Sequence, residues 1–311
     1  MVENQPILIS SRSFGKTNSR AIEILKDVGM HVLLNPHGRI LSEEEIIEYG
    51  REAIGVIAGT EKYSANVINN MPSLKVISRY GVGLDNVDLK AAGLNNVLVF
   101  NTPHSPSQAV AELTIVLILS LLRKIPLLDS RLRSLNWQPE SGGLLLGKTV
   151  GVIGLGCIGR KVVQIIKPFG VDILASEINP NDKFINQYNI ELLELSDLFK
   201  KSDIVTIHVP LTSETRHMIN KKSLVHMKKT AMIINTSRGE VINEADLFHA
   251  LNNKAISGAA LDVFSHEPYE GELTQLDNVV LTPHIGSFTY ETRLNMELEA
   301  AENLIRGLNE K

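Results

Sequence analysis

Short apolar stretches alternate with amphipathic stretches of helical length along most of this chain. Five apolar stretches precede residue 100: PILIS, HVLLN, IGVIAG, LKVISRYG and VLVFN. Six more come after residue 147: TVGVIG, VDILAS, IVTIHV, AMIINTS, ISGAALDVF and NVVLTP. Segments between them, such as 19–29 and 42–50, have the length and apolar spacing of helices. This alternation is typical of parallel sheets covered by helices, so we predict an α/β protein with two doubly wound parallel-sheet domains.

The alternation is interrupted between the two sets of strands. Two prolines in NTPHSPSQAVAE, residues 101–112, precede the apolar run AELTIVLILSLL. That run is too short to cross a bilayer and carries Glu112 near its start. We therefore interpret it as a buried helix next to the join between the two domains.

Composition agrees with a globular protein of the cytoplasm. The 311 residues exceed the usual size of a single core, and 43% hydrophobic with 21% charged residues is ordinary for a soluble chain. A net charge of −4 without a long basic cluster argues against nucleic-acid binding. The start, MVENQPILIS, lacks the basic region and cleavage site of a signal peptide. One cysteine cannot form an internal disulfide, and scattered histidines predict no metal site.

The segment TVGVIGLGCIG carries the strongest chemical signal. It places Gly154, Gly156 and Gly159 in G-x-G-x-x-G register directly after a predicted strand. The first glycine permits a tight turn, the second lets a pyrophosphate approach backbone amides, and the third packs helix against strand. The N-terminus of the next helix favours negative charge. We therefore predict a dinucleotide site, for which a tight turn without a ligand is the alternative.

An acid stands at the spacing that this motif requires. Glu177 lies eighteen residues after Gly159, at the end of VDILASE. A carboxylate there accepts hydrogen bonds from ribose hydroxyls and repels a 2′-phosphate, so we predict NAD rather than NADP. The alternative is a solvated acid in a loop. Cys157 and Ile158, within the glycine loop, are further predicted contacts of the cofactor. We interpret Cys157 as a small residue that fills space, with an oxidation-sensitive thiol as the alternative.

Three charged residues come directly after strands of the second set: Arg238 after AMIINTS, Glu267 after ALDVFSH and His284 after VVLTP. Ligands of open parallel sheets bind outside the carboxyl ends of the strands. An arginine can hold a keto acid by its carboxylate and polarise the keto oxygen, and a histidine can exchange a proton with that oxygen. A carboxylate beside a histidine raises the histidine's pKa and orients its ring. A surface charge, a turn residue and a structural histidine are the respective alternatives.

At these positions the chain resembles the D-isomer-specific 2-hydroxyacid dehydrogenase family. The matching segments cover nearly the whole length in family order: GVGLDNVD, GLGCIG, HVPLTSET, INTSRGEVINEADL, GAALDVFSHEP and TPHIGSFTYET. The resemblance implies a Rossmann-type NAD domain, residues 102–284, inserted into a flavodoxin-like substrate domain, residues 1–101 and 285–311. It also implies a homodimer formed through the inserted domain. A cleft between the sheets would be the natural substrate site.

The resemblance also implies roles for particular residues. His284 would be the catalytic acid/base, Glu267 its partner and Arg238 the substrate anchor. The amides around Val82 and Gly83 would bind the substrate carboxylate. The cofactor site would further include a set of residues from the second group of strands: Thr206, His208, Pro210, Thr236 and Asp262, the last near the nicotinamide amide.

Within the family, the similarity is greatest to short-form D-3-phosphoglycerate dehydrogenases of serine biosynthesis. Arg79 stands two positions before Gly81, where those enzymes place a phosphate-binding arginine. The segments KAAGLNN and LNWQPESGG lack the further arginines that some of those enzymes carry. The resemblance therefore implies 3-phosphoglycerate and 3-phosphohydroxypyruvate as the substrate pair. Glyoxylate, hydroxypyruvate, glycerate or a phosphonate stay open as alternatives, and a surface arginine is the alternative for Arg79.

Two other classes can be compared with this prediction. An NAD-sensing binding protein of corepressor type would keep the same residues, so only turnover separates it from an enzyme. An L-hydroxyacid dehydrogenase would place its glycine motif near the N-terminus, whereas here a whole set of strands precedes Gly154.

Overall fold

The computed structural model describes residues 4–16 and 18–310 and divides into two compact units. The first unit runs to Pro106 and resumes at Ser287, and the second is Ser107–Gly286. Residues 1–3 and 311, the ends of the expected substrate domain, lie outside the described residues. Within the described ranges, no helix combines the length and apolar character that a membrane span requires.

The first unit is built on a five-stranded parallel sheet in the order β2-β1-β3-β4-β5, which is the flavodoxin-like order. Its strands are β1 (Pro6–Ile9), β2 (His31–Leu34), β3 (Gly55–Ala58), β4 (Val76–Arg79) and β5 (Leu98–Phe100). Its helices are α1 (Arg20–Asp27), α2 (Glu43–Gly50), α3 (Ala65–Asn69), α4 (Leu89–Leu94) and, at the end of the chain, α12 (Tyr290–Asn309). All five strands and the first two helices predicted from the hydrophobic pattern are present.

The second unit is built on a seven-stranded parallel sheet. Its strands are β6 (Thr149–Ile153), β7 (Asp172–Ser176), β8 (Ile190–Leu192), β9 (Ile204–Ile207), β10 (Met232–Asn235), β11 (Gly258–Leu261) and β12 (Val279–Leu281), in the order β12-β11-β10-β9-β6-β7-β8. Its helices are α5 (Ser107–Leu122), α6 (Ile125–Arg133), α7 (Cys157–Ile166), α8 (Asp182–Tyr188), α9 (Leu195–Lys201), α10 (Lys221–Leu224) and α11 (Glu244–Asn252). The prediction missed β8, a three-residue strand at the edge of the sheet.

Both sheets are covered on both faces, as the prediction of doubly wound domains requires. Along β1, Ile7 and Ile9 pack into one core while Leu8 packs into the other, because successive side chains of a strand point to opposite faces. In the second unit, Val152 of β6 belongs to the core that contains α5, and Ile153 to the opposite core. The apolar run after the prolines forms α5, which is largely buried as expected. The predicted α/β fold is confirmed.

Candidate active site

The glycine loop after β6 is shaped by close backbone contacts. Gly154 has a φ of +90°, and a Cβ there would lie 2.7 Å from the carbonyl oxygen of His208. A Cβ on Gly159 would lie 2.0 Å from the carbonyl oxygen of Gly154, so the first turn of α7 packs directly on the loop. By contrast, a Cβ on Gly156 would meet no atom of the other described residues within 4 Å, its two chain neighbours aside. The loop is therefore tight on its inner side and open at Gly156.

The N-terminus of α7 and the acid after β7 adjoin this loop. Gly156, which precedes α7, has no side chain to cap the helix, so the first amides of α7 are not capped by a side chain. The carboxylate of Glu177 accepts hydrogen bonds from the Leu155 amide, at 2.5 Å, and from the Asn179 amide, at 2.9 Å. Cys157 is partly exposed at the first position of the helix. An open glycine, an uncapped helix start and an acid beside the loop fit an NAD pyrophosphate and its ribose.

Four further predicted cofactor residues lie on β9 or in the segments after β9 and β10: Thr206, His208, Pro210 and Thr236. The Thr206 hydroxyl lies 2.8 Å from Nε2 of His208. Burial lowers the pKa of His208 to about 3, so this ring is neutral near pH 7. Its Nδ1 is buried and has no hydrogen-bond partner in the described part of the chain. Pro210 is exposed, whereas Thr236 is buried with its hydroxyl 3.0 Å from that of Thr114 on α5. Three of these side chains, Thr206, His208 and Thr236, therefore form hydrogen bonds to other side chains of the protein.

Arg238 lies in the segment after β10. Its carbonyl accepts a hydrogen bond from the Asn235 side chain at 2.8 Å, and its guanidinium donates to the Ser237 carbonyl at 2.7 Å. The next residue, Gly239, packs against the segment after β11, since a Cβ there would lie 1.9 Å from the Phe264 carbonyl carbon. This close contact joins the segment that carries Arg238 to the one that carries Glu267.

Glu267 and His284 form a direct pair. Oε2 of Glu267 lies 2.8 Å from Nδ1 of His284, and Oε1 accepts from the Phe264 amide at 3.1 Å. Partial burial works to raise the pKa of Glu267, but the hydrogen bond and charge of His284, with the charge of Arg238, keep that pKa below its usual value. The carboxylate is therefore ionised near pH 7 and accepts a hydrogen bond from the N–H group at Nδ1. The imidazole side chain is 46% exposed, which leaves Nε2 available to a ligand.

The backbone at His284 is held by Asp262, the acid directly after β11. Oδ1 of Asp262 accepts from the Thr282 hydroxyl, at 2.6 Å, and from the Ile285 amide, at 2.8 Å; Oδ2 accepts from the Gly286 amide at 2.8 Å. Between these bonds, His284 has a φ of +53°, which is uncommon for a residue with a side chain. Burial raises the pKa of Asp262 despite the bonds. Sequence reasoning placed Asp262 near the nicotinamide and missed this contact with the histidine turn.

In the first unit, the predicted substrate loop lies after β4. The amides of Val82 and Gly83 donate to no acceptor in the described part of the chain. Arg79 is 9% exposed; its Nε donates to Oδ1 of Asn86 at 3.3 Å, and a terminal nitrogen donates to the Tyr80 carbonyl. The guanidinium therefore forms hydrogen bonds inside its own unit.

A family model described as the NAD-binding domain of D-isomer-specific 2-hydroxyacid dehydrogenases matches residues 115–286. The chain belongs to this family. The resemblance inferred from the motifs is confirmed, as is the prediction of an NAD-dependent oxidoreductase. The matched residues lie in the second unit, which contains the glycine loop of the dehydrogenase, Arg238, Glu267 and His284.

Curated relatives of the dehydrogenase carry different substrate names. A glyoxylate reductase of Thermofilum pendens is 43% identical over 86% of this chain and 82% of its own length. A D-3-phosphoglycerate dehydrogenase of Methanocaldococcus jannaschii is 40% identical over 93% of this chain, which spans 55% of that relative. Among solved structures, a D-lactate dehydrogenase of Aquifex aeolicus in complex with NAD and lactic acid has a TM-score of 0.84 at 27% identity, covering 98% of this chain and 96% of its own.

Proposed function

We propose that this dehydrogenase reduces a short, unphosphorylated 2-keto acid, glyoxylate or hydroxypyruvate, to the 2-hydroxy acid. The observation that carries the chemistry is the 2.8 Å pair of Glu267 and His284 beside the segment of Arg238. A histidine held by an ionised carboxylate can exchange a proton through its second nitrogen, and a nearby guanidinium can polarise the oxygen that receives the proton. Reduction of a carbonyl to an alcohol needs a hydride and a proton; the pair supplies the proton, and the guanidinium stabilises the negative charge that develops on the oxygen.

The residues of the second unit divide into cofactor and substrate groups. NAD, when bound, accepts or donates the hydride at its nicotinamide. The glycine loop and the uncapped first turn of α7 bind the pyrophosphate, and Glu177 accepts hydrogen bonds from the ribose hydroxyls. We assign four further residues to the walls of the cofactor site: Thr206, His208, Pro210 and Thr236.

We assign substrate binding, proton transfer and orientation of the histidine ring to one side chain each. Arg238 holds the keto acid and polarises the keto oxygen with a planar guanidinium. Nε2 of His284 donates the proton that the developing alkoxide needs, and in the reverse direction it accepts that proton. Glu267 stabilises the imidazolium and fixes the ring through Nδ1. In the first unit, the amides of Val82 and Gly83 bind the substrate carboxylate.

The choice of an unphosphorylated substrate rests on Arg79. A phosphate dianion is bound by cationic side chains whose N–H groups point at it. The Arg79 guanidinium instead directs N–H groups to Asn86 and to the Tyr80 carbonyl, which favours a substrate without a phosphate. The glyoxylate reductase relative, matched over most of its length, supports the same choice. Reduction of 3-phosphohydroxypyruvate is the second candidate, supported by the place of Arg79 two residues before Gly81 and by the phosphoglycerate dehydrogenase relative.

A panel assay tests the proposal. NADH oxidation is measured with glyoxylate, hydroxypyruvate and 3-phosphohydroxypyruvate at matched concentrations, and we expect a higher kcat/KM for the two unphosphorylated acids. A kcat/KM for the phosphorylated acid that equals or exceeds theirs would overturn the substrate assignment and favour the second candidate. Protein that binds NADH but turns over none of these acids would overturn the proposed reduction itself and favour an NAD-sensing role.

We also propose that the dehydrogenase is a homodimer formed through the second unit. Helix α6 buries none of its residues, and the segment after it carries Leu135 and Trp137 at 94% and 83% exposure. Exposed apolar side chains close together in sequence are typical of protein contacts. A second copy of this chain is the occupant that the family resemblance implies.

A further inference from the structure

The loop that we assign to the substrate carboxylate is pinned on both sides of Gly81. The Gly81 amide donates to the Thr102 hydroxyl at 3.0 Å, and the Gly81 carbonyl accepts from the Thr102 amide at 3.0 Å. Just before Gly81, the Tyr80 carbonyl accepts from the Arg79 guanidinium. Both peptide groups that flank Gly81 are therefore fixed, and the second of them contains the Val82 amide.

The Arg79 guanidinium packs against the turn at Gly81. A Cβ built on Gly81 would lie 2.4 Å from a terminal nitrogen of Arg79. Arg79 as a whole is only 9% exposed, and Gly81 has a φ of +146°. The cation thus covers the inner side of the turn that leads into the Val82 and Gly83 amides.

Asn86 connects Arg79 to the end of the neighbouring strand. Its Oδ1 accepts from Nε of Arg79 at 3.3 Å, and its Nδ2 donates to the carbonyls of Gly59, at 3.1 Å, and Glu61, at 2.6 Å. Glu61 is 3% exposed, and its carboxylate accepts from the Gly59 amide at 3.1 Å. The segments after β3 and β4 are therefore joined through the side chain of Asn86.

We propose that Asn86 and Arg79 are positioning residues that set the geometry of the Val82 and Gly83 amides and thereby the KM for every 2-keto acid. An anion binds tightly to backbone amides only if they already point at it, since a mobile loop loses conformational entropy on binding. The effect is independent of any phosphate on the substrate, because the two side chains act through the backbone. This inference rests on the proposed function of the loop.

The test compares Asn86→Ala with Asn95→Ala. Asn95 is an exposed asparagine of the same unit whose side chain donates to Asn69 and to the Ala91 carbonyl. We expect Asn86→Ala to raise the KM for glyoxylate, hydroxypyruvate and 3-phosphohydroxypyruvate at least tenfold and by similar factors. The limiting kcat and the Kd for NADH should stay within about twofold of wild type, and Asn95→Ala should match wild type throughout.

A second variant covers the case in which Asn86→Ala does not fold. Arg79→Lys keeps the charge but cannot donate in one plane to both Asn86 and Tyr80, so it should raise the KM for all three acids in the same way. A wild-type KM for glyoxylate in either folded variant would overturn the inference. A KM increase confined to the phosphorylated acid would overturn it too, since Arg79 would then be a phosphate ligand. Failure of the proposed function is distinct, because wild-type protein would then reduce none of the acids.

Discussion

Glu267 determines the charge beside His284, the proposed proton donor. Its pKa is held below the usual value by the His284 hydrogen bond and by nearby positive charge, which outweigh partial burial. A carboxyl group with a lowered pKa stays ionised down to pH values below its usual titration range. Near pH 7 the ionised Glu267 carboxylate therefore accepts a hydrogen bond from Nδ1 of His284 and stabilises the protonated imidazole that the proposed reduction uses.

Replacing Glu267 by Gln is expected to move the pH profile. The amide keeps the shape but removes the negative charge that favours imidazolium, so both the reduction and the oxidation limb should shift to more acidic pH. The measurement is kcat/KM against pH in both directions. Glu244→Gln is the matched control. Glu244, on α11, accepts a hydrogen bond from the amide of Ser265, at 2.6 Å, in the segment that carries Glu267. An unchanged profile in Glu267→Gln would remove Glu267 from the proton chemistry.

Arg238→Lys is expected to lose activity although it conserves charge. An ammonium cannot contact carboxylate and keto oxygen in one plane, and the loss of a charge-assisted hydrogen bond of about 1.5–3 kcal/mol corresponds to roughly one to two decades in kcat/KM. Because polarisation strengthens in the transition state, kcat should fall and KM should rise. The measurement is steady-state kinetics of Arg238→Lys compared with Arg216→Lys as the control, since Arg216 is an exposed arginine of the same unit. Wild-type rates would place Arg238 outside the site.

Glu177 is expected to select NAD. Glu177→Ser should narrow the preference for NADH over NADPH by removing the charge that repels a 2′-phosphate. Glu177→Gln separates this effect from loop support, since its amide oxygen can still accept from the Leu155 amide. The ratio of kcat/KM for the two cofactors is the measurement, with Asp182→Ser on nearby α8 as the control. If the ratio does not move, Glu177 serves only to hold the glycine loop.

At the scale of elements, the candidate site is built from the segments at the carboxyl ends of three parallel strands. Arg238 comes after β10, Asp262 and Glu267 after β11, and His284 after β12. These three strands are neighbours in the sheet, so their carboxyl ends lie side by side. Asp262 joins β11 to the turn after β12, which fixes the histidine relative to its partner.

Asp262→Asn is expected to weaken both fold and catalysis. The side-chain nitrogen of the new asparagine would replace Oδ1 or Oδ2 and would face the backbone amide of Ile285 or Gly286, which is also a donor. A buried donor left without an acceptor costs about 1–3 kcal/mol. The free energy of unfolding should fall by that amount, and kcat should fall further because His284 loses its backbone support. Thermal unfolding and kcat, beside the exposed control Asp277→Asn, measure both effects. A variant as stable and active as wild type would contradict the assigned support.

At the scale of the whole molecule, the chain completes one unit only after passing through the other. Helix α12 returns to the first sheet, where Leu304 packs into the core with Ile7 and Ile57. The second unit, Ser107–Gly286, contains the part that matches the family's NAD-binding domain. The residues assigned to substrate and cofactor therefore come from chain segments that are distant in sequence.

The proposed homodimer makes a prediction at this scale. The double variant Leu135→Glu with Trp137→Glu should shift the protein from dimer to monomer in sedimentation velocity. Each large apolar side chain buried in an interface contributes about 1.5–3 kcal/mol, so loss of both should weaken association by roughly two decades or more. Leu94→Glu, at an exposed position of α4 in the first unit, is the control. A monomeric wild type, or a double variant that stays dimeric, would contradict the assignment.

Two parallel sheets, the glycine loop and the positions of Arg238, Glu267 and His284 could all be predicted from local sequence pattern. Apolar strands alternate with helices, and the three predicted site residues stand in the segments that follow strand ends. Strand β8 was not predicted because Ile190–Leu192 has three residues, of which Glu191 and Leu192 are exposed. The equally short strands β5 and β12 were predicted because all of their residues are apolar, whereas β8 has a charged residue at its centre and so lacks a hydrophobic run.

The hydrogen-bond partners of the long side chains, in contrast, depend on the folded chain. The sequence placed Arg79 near a substrate loop, but its hydrogen bond to Asn86, seven residues away, arises from how the chain folds back after β4. Asp262 holds a turn more than twenty residues further along the chain because β11 and β12 pair side by side. Such bonds depend on the distance between chain segments that are remote in sequence, and local pattern carries no information about that distance.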